Sequence, residues 1–273
     1  MTLLIVGASG YLGGELCRQA VTAGLRVVGT YHRAPGAVGG VDWQRLDIND
    51  RAAVRALVTR VRPAAVIGTA AVYGQWAVCA DGAGHVAAAA AEVGARLVHL
   101  SSDALHGGRP EPYADDEPPT PVYPYGAAKA AGETAVRLAA PQAALVRTSL
   151  IVGDERSKQI RLCLDALSGA AGVRLFTDEF RCPVDVRDLA SAVLELVDSD
   201  YAGVLNVAGA DPVSRAELGR LVALRYGLDP AKLAVTTIAA AGQPRPADVR
   251  LDSSRAAALL KTRLRGVREL LAA

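Results

Sequence analysis

The chain has 273 residues, of which 51% are hydrophobic and 21% charged, with a formal net charge of +2 and a pI near 8.4. That composition suits one large or two small packed domains and excludes a disordered chain, and so mild a charge excludes a basic stripe for nucleic acid. The four cysteines, Cys17, Cys79, Cys163 and Cys182, lack Cys-x-x-Cys or Cys/His spacing, which points to reduced thiols in a cytoplasmic protein with no metal centre.

The N-terminus reads directly as a strand, not as a signal peptide, and no apolar run reaches membrane-spanning length. Strands are expected near 2–6, 25–30, 43–46, 64–68, 96–100 and 143–148, with helices near 12–23, 50–61, 76–93 and 122–139. This alternation predicts an α/β fold with a doubly wound, Rossmann-type parallel sheet.

The first strand runs into Gly7-Ala8-Ser9-Gly10-Tyr11-Leu12-Gly13, spaced G-x-x-G-x-x-G before a helix. Glycines there let the backbone approach a pyrophosphate, and the helix N-terminus supplies N–H donors and a positive dipole end. Gly7, Ser9, Gly10, Tyr11, Leu12 and Gly13 are therefore expected at a dinucleotide. The second strand ends in Thr30-Tyr31-His32-Arg33, with no carboxylate to hold an adenine ribose. Arg33 would instead meet a 2′-phosphate, which favours NADP, with NADPH preferred over NADH; a solvated loop arginine is the alternative. Asp47 and Ile48 close the third strand. Asp47 would accept from the adenine amino group or else cap the next helix, a task Asn49 or Asp50 could also perform. The small residues Thr69, Ala70 and Ala71 after the fourth strand would allow a cofactor ribose to lie close.

The fifth strand delivers Ser101-Ser102-Asp103 at its carboxyl end, where doubly wound sheets place ligands. A hydroxyl there can orient a carbonyl oxygen, and Asp103 can cap a turn. His99, inside the strand, reads as a structural histidine with its hydrogen bonds satisfied. The Pro- and acid-rich loop 106–121 reads as an exposed rim.

Tyr125-Gly126-Ala127-Ala128-Lys129 follows. Residues four apart share a helix face, and an ammonium there favours a tyrosinate over a phenol whose pKa is otherwise about 10. With 8 tyrosines and 4 lysines, the spacing arises by chance about 0.12 times in a chain of this length. The expected chemistry is proton donation or abstraction near neutral pH. Residues 1–150, joined by 186–206, would form the dinucleotide-binding domain; 151–185 and 207–273 would form a smaller substrate lobe. Lys158, Gln159, Arg181, Arg245 and Arg250 are the polar groups there that could face an anionic substrate, with Arg181 and Arg245 assigned to it; Arg147 reads as a buried structural partner.

Taken together, these motifs resemble the extended short-chain dehydrogenase/reductase superfamily and, within it, the dTDP-4-dehydrorhamnose reductase family. Ser101-Ser102-Asp103 falls where that family has Ser-Thr-Asp, and Tyr125…Lys129 matches its catalytic pair. The stretches 145–149, 181–190 and 245–252 resemble its later segments. The departures are Cys79 for a usual Asn, Val249 for a Ser, and Ala104-Leu105-His106 for an aromatic-Val-Phe run. The resemblance implies reduction of a keto group on a nucleotide-linked 4-keto-6-deoxysugar, with Ser102 holding the carbonyl, Tyr125 giving it a proton and Lys129 binding the nicotinamide ribose. It leaves open another ketone substrate, or a non-catalytic NADP-binding regulatory partner of the same fold. By analogy with similar proteins, helices 82–93 and 122–139 could pair across a homodimer.

Overall fold

The computed structural model describes residues 1–242 and 244–272. The chain divides into two compact units: 1–102, 124–147 and 190–205 form the first; 103–123, 148–189 and 206–273 form the second.

The first unit is built on a seven-stranded sheet made of β1 (Thr2–Val6), β2 (Arg26–Tyr31), β3 (Val41–Arg45), β4 (Ala65–Gly68), β5 (Arg96–Leu100), β6 (Ala144–Thr148) and β7 (Gly203–Val207). Their order is β7-β6-β5-β4-β1-β2-β3, and pairing is parallel from β3 through to β6. Strand order reverses at the β1/β4 boundary, where folds of this type open a crevice at the carboxyl ends of the strands. Parallel strands covered on both faces need continuous apolar runs. Leu3, Leu4 and Ile5 are fully buried, as are Val66 and Ile67.

The covering helices are α1 (Tyr11–Thr22), α2 (Arg51–Val61), α3 (Gly82–Glu92) and α4 (Pro124–Ala139). The element bounds agree with the sequence expectation to within a residue or two except at one place. The helix expected over 76–93 begins as a π-helical stretch, Ala77–Asp81, before becoming α-helical at Gly82. Small residues set the packing of α3 on α4: a Cβ at Gly84 would stand 3.2 Å from Ala135 Cβ, and one at Gly132 only 2.3 Å from the Cys79 carbonyl oxygen. Proline at the first position of α4 costs no hydrogen bond, because that N–H has no intrahelical acceptor.

The second unit includes three two-residue strand pairs and two eleven-residue helices, Lys158–Ser168 and Arg215–Arg225, around a core that includes Val152, Ile160, Leu175, Leu218 and Val222, together with the shorter helices Ile238–Ala241, Ser254–Leu259 and Val267–Leu270. Ser157 caps the first helix by accepting from Gln159 N and Ile160 N; Ser214 caps the second by accepting from Glu217 N at 3.0 Å.

The loop expected to be an exposed rim is exposed or half-buried over most of its length but sends three side chains inward. His106, Tyr113 and Asp115 are buried, and the His106 and Tyr113 rings stack with centroids 3.9 Å apart. Tyr113 pairs through its backbone with Arg250 and Asp252, and the Asp115 carboxylate accepts from Asn206 N at 2.5 Å. Backbone pairing of this kind satisfies the polar groups that composition alone assigns to water.

Candidate functional site

The glycine turn is shaped by lack of room. Gly7 sits at φ +87, and a Cβ on it would lie 2.8 Å from both Ala70 N and Thr69 Oγ1. At Gly13 a Cβ would come within 2.2 Å of the Gly7 carbonyl oxygen, so only glycine lets α1 start this close to β1. Thr30, at the end of β2, accepts from Gly7 N–H at 3.0 Å, and Thr69 donates to Val6 O at 2.9 Å. Three strand ends are thereby locked around one turn. Gly10 caps α1 without a side chain, while Ser9 and Gly10 are exposed. Tyr11 is half-buried, and Leu12 is buried in the first turn of the helix.

The β2 and β3 ends follow. Arg33 is exposed. Asp50, not Asp47, caps α2, accepting from Ala53 N at 3.0 Å. Asp47 stays exposed, accepts from Asn49 N at 3.0 Å and stands 3.9 Å from His32 Nε2. Ile48 is buried, and its carbonyl meets the His85 ring at 2.9 Å. Thr69 and Ala70 are half-buried and Ala71 is exposed.

Two strands away, Ser102 is half-buried just past β5, and Tyr125 is half-buried in the first turn of α4. One turn on, Lys129 is 2% exposed and donates through Nζ to Leu100 O at 2.7 Å. Burial pushes its pKa below the ordinary lysine range, while Cys79 and Glu133 pull it up. Glu133 and Arg147, both buried, form a bidentate pair with bonds of 3.0 and 2.9 Å, so Arg147 is the structural partner expected of it.

His99 corrects the sequence reading: it is buried, and neither ring nitrogen has a hydrogen-bond partner. Burial, then the charge of Lys129, hold its pKa well below the usual imidazole value, so it is neutral. It fits because its strand neighbour is glycine; a Cβ on Gly68 would stand 3.0 Å from His99 Nδ1.

In the second unit the arginines serve different ends. Arg181, expected to face an anionic substrate, is 4% exposed; its guanidinium donates to Pro246 O and Phe180 O and lies 3.6 Å from both Asp103 and Glu179. Asp103 also accepts from Ser149 Oγ at 2.7 Å. Arg215 is also buried, at 9% exposure, with Nη1 unpartnered. Arg245 is different. Its side chain is 29% exposed, bonded to Glu179 Oε2 at 2.5 Å and stacked 4.7 Å over the Phe176 ring. Burial alone would raise the Glu179 pKa, but the Arg245 hydrogen bond and the charges of Arg181, Arg215 and Arg245 outweigh it, so its pKa is lowered. Arg250 is held bidentately by Asp248 at 2.9 and 2.6 Å. Lys158 is exposed; Gln159 is half-buried, with its Oε1 unpartnered. Val249 is fully buried in an apolar cluster with Tyr113, Cys182, Ala208 and Leu251, an environment where a serine hydroxyl would lose water.

Among the described residues no helix is long and apolar enough to cross a membrane. Comparison with known proteins gives one consistent answer. The family model described as the RmlD substrate binding domain matches residues 1–273. A dTDP-4-dehydrorhamnose reductase of Mycobacterium tuberculosis is 34% identical over 263 residues, covering 90% of this chain and 81% of that one. Among solved structures, Bordetella bronchiseptica WbmH in complex with NAD+ superposes with a TM-score of 0.84 at 25% identity, covering 100% of this chain and 96% of the other. A Bacillus anthracis dTDP-4-dehydrorhamnose reductase in complex with NADP superposes with a TM-score of 0.82, covering 99% and 95%; at 24% identity that likeness is one of fold. The protein belongs to the RmlD substrate binding domain family, within the extended short-chain dehydrogenase/reductases, and is an oxidoreductase.

Proposed function

We propose that the protein is an NADPH-dependent reductase of a keto group on a nucleotide-linked 4-keto-6-deoxysugar. The observation that carries this reading is the arrangement at the carboxyl edge of the first unit's sheet. There a glycine cradle that a Cβ would fill lies on the same unit as a half-buried tyrosine with a buried lysine one helical turn away. The name of the M. tuberculosis relative supplies the substrate class.

The cradle fits a dinucleotide. Gly7 and Gly13 let α1 start tight against β1, and Gly10 caps it without a side chain, so a pyrophosphate could approach helix N–H groups and a dipole that favour an anion. Asp47, released from capping duty by Asp50, would accept from the adenine amino group beside Ile48, and Arg33 would meet a 2′-phosphate. Ala70 and Ala71 keep the space near the ribose open. When bound, NADPH supplies the hydride that goes to the carbonyl carbon.

The chain's own residues manage the oxygen. Ser102 donates a hydrogen bond to the carbonyl oxygen and fixes its direction. Tyr125 gives that oxygen its proton as charge develops on it. Lys129 holds the nicotinamide ribose and, as an ammonium, favours the tyrosinate left behind. Arg245, partly exposed and stacked on Phe176, is assigned to the anionic part of the substrate. Arg181 is not, because its guanidinium is already engaged.

NADPH oxidation against a panel of nucleotide-linked 4-keto-6-deoxysugars tests the reading, with NADH in parallel and Arg33→Ala alongside. The expected result is turnover of at least one sugar, faster with NADPH, and loss of about tenfold in the NADPH preference in Arg33→Ala, since one charged contact is worth about 1.5 kcal/mol. Cofactor binding without turnover of any nucleotide-linked ketone would move the protein to a different ketone, or to a regulatory role.

A further inference from the structure

The loop after β4 leaves three large apolar side chains in water within five residues: Val72 at 43%, Tyr73 at 63% and Trp76 at 52% exposure. The chain contains only 2 Trp and 2 Phe, so exposing an indole and a phenol ring side by side is a concentrated use of scarce aromatics. Exposed apolar clusters of this kind mark ligand surfaces.

The loop is also held in shape. Gln75 N donates to Val72 O at 3.1 Å, Gly74 takes the left-handed conformation at φ +80, and the Cys79 thiol closes on the same Val72 carbonyl at 3.4 Å. Cys79 lies in the π-helical stretch Ala77–Asp81, and insertions of this type are frequent at functional sites. The turn brings the Tyr73 ring against Tyr125, with centroids 5.0 Å apart and planes tilted by 33°. Tyr73 touches the proposed proton donor while 63% of it remains exposed, so the ring is open to a ligand approaching Tyr125.

We propose that Tyr73 contacts substrate and determines specificity, its ring packing against the apolar part of the sugar beside the reacting carbonyl. In a 4-keto-6-deoxysugar that part is C5 with its methyl group, so the inference rests on the function proposed above. A methyl group gains burial against the ring, whereas a 6-hydroxyl would give up water there. Cys79 is a positioning residue that acts through the Val72 carbonyl.

The test is calorimetry on the full-length protein saturated with NADP+. A nucleotide-linked 6-deoxyhexose is titrated against the matching nucleotide-linked hexose in wild type, Tyr73→Phe, Tyr73→Ala and Cys79→Ala. Wild type and Tyr73→Phe should prefer the 6-deoxy ligand by about tenfold, the scale of discrimination an apolar pocket achieves over one small group. Tyr73→Ala should lose that preference and Cys79→Ala part of it, with NADP+ affinity unchanged in all four. Retention of the preference in Tyr73→Ala would overturn the proposal and leave the reductase reading standing if wild type still reduces nucleotide-linked ketones. Equal weakening toward both sugars together with weaker NADP+ binding would mean that Tyr73 only supports the fold, and would also overturn it. Wild type that binds neither sugar would overturn both readings.

Discussion

Lys129 in the first unit and Arg181 in the second are both almost completely buried cations, yet they stand in opposite situations. Lys129 gives a hydrogen bond to one backbone carbonyl, and burial destabilises its charge. Arg181 is surrounded by two carboxylates and two carbonyls that consume its guanidinium. A buried charge held by little is costly to keep and is retained where chemistry requires it, whereas one held on every side serves the fold. The comparison separates the lysine proposed to act on a ligand from an arginine that holds its own surroundings together.

The largest effect that would sharpen this contrast lies directly beneath the proposed site. Glu133→Gln leaves Arg147 buried without its bidentate counter-ion and should cost about 3–5 kcal/mol in urea unfolding. A loss below about 1 kcal/mol would show that this pair does not anchor α4 on the sheet.

The second contrast lies within the arginine group. Arg181→Ala should destabilise the protein by about 3 kcal/mol, because it strips a buried partner from Asp103 and Glu179. Arg245→Ala should cost about 1 kcal/mol and act instead on the KM for the sugar nucleotide. If Arg181→Ala raises that KM while leaving stability untouched, the assignment of the two residues must be exchanged. Glu179 adds a smaller, pH-dependent difference. Its folded pKa is depressed below the ordinary value of 4.5, so its contribution is fully present above that value and is lost as pH falls through the folded pKa. The stability gap between wild type and Glu179→Gln should therefore narrow in melts taken progressively below pH 4.5.

How far the sequence could be read follows from the range of each interaction. Gly13 is legible because the exclusion by Gly7 and Ala8 acts within a few residues, and Tyr125 and Lys129 because helical spacing is local; Gly7 is legible only as part of the motif, since the atoms that exclude a Cβ there belong to Thr69 and Ala70. Asp50 and Asp47 compete for the same cap from positions three residues apart; only the bond to Ala53 N decides between them. The packing of the 106–121 loop escapes a local reading, because Asp115 meets Asn206 across 91 residues and Tyr113 pairs with the segment around Arg250 and Asp252. The partners that engage Arg181 escape it for the same reason: Pro246, whose carbonyl it bonds, lies 65 residues on. His99 looks like a satisfied core histidine in any strand pattern, and its two unpartnered nitrogens become visible only with every neighbour in place. Nothing local singles out Tyr73, whose proposed role follows from its ring contact with Tyr125, fifty-two positions later in the chain.

The central claim is that the carboxyl edge of the first unit's sheet carries the chemistry, with Tyr125 as proton donor. Single-turnover oxidation of bound NADPH by a nucleotide-linked 4-keto-6-deoxysugar, followed by stopped flow in wild type and Tyr125→Phe, tests it most directly. The account predicts a fall of about 10²–10⁴-fold in the rate for Tyr125→Phe, with NADPH affinity unchanged. A phenylalanine variant that transfers hydride at the wild-type rate would contradict it and leave the proton to come from elsewhere.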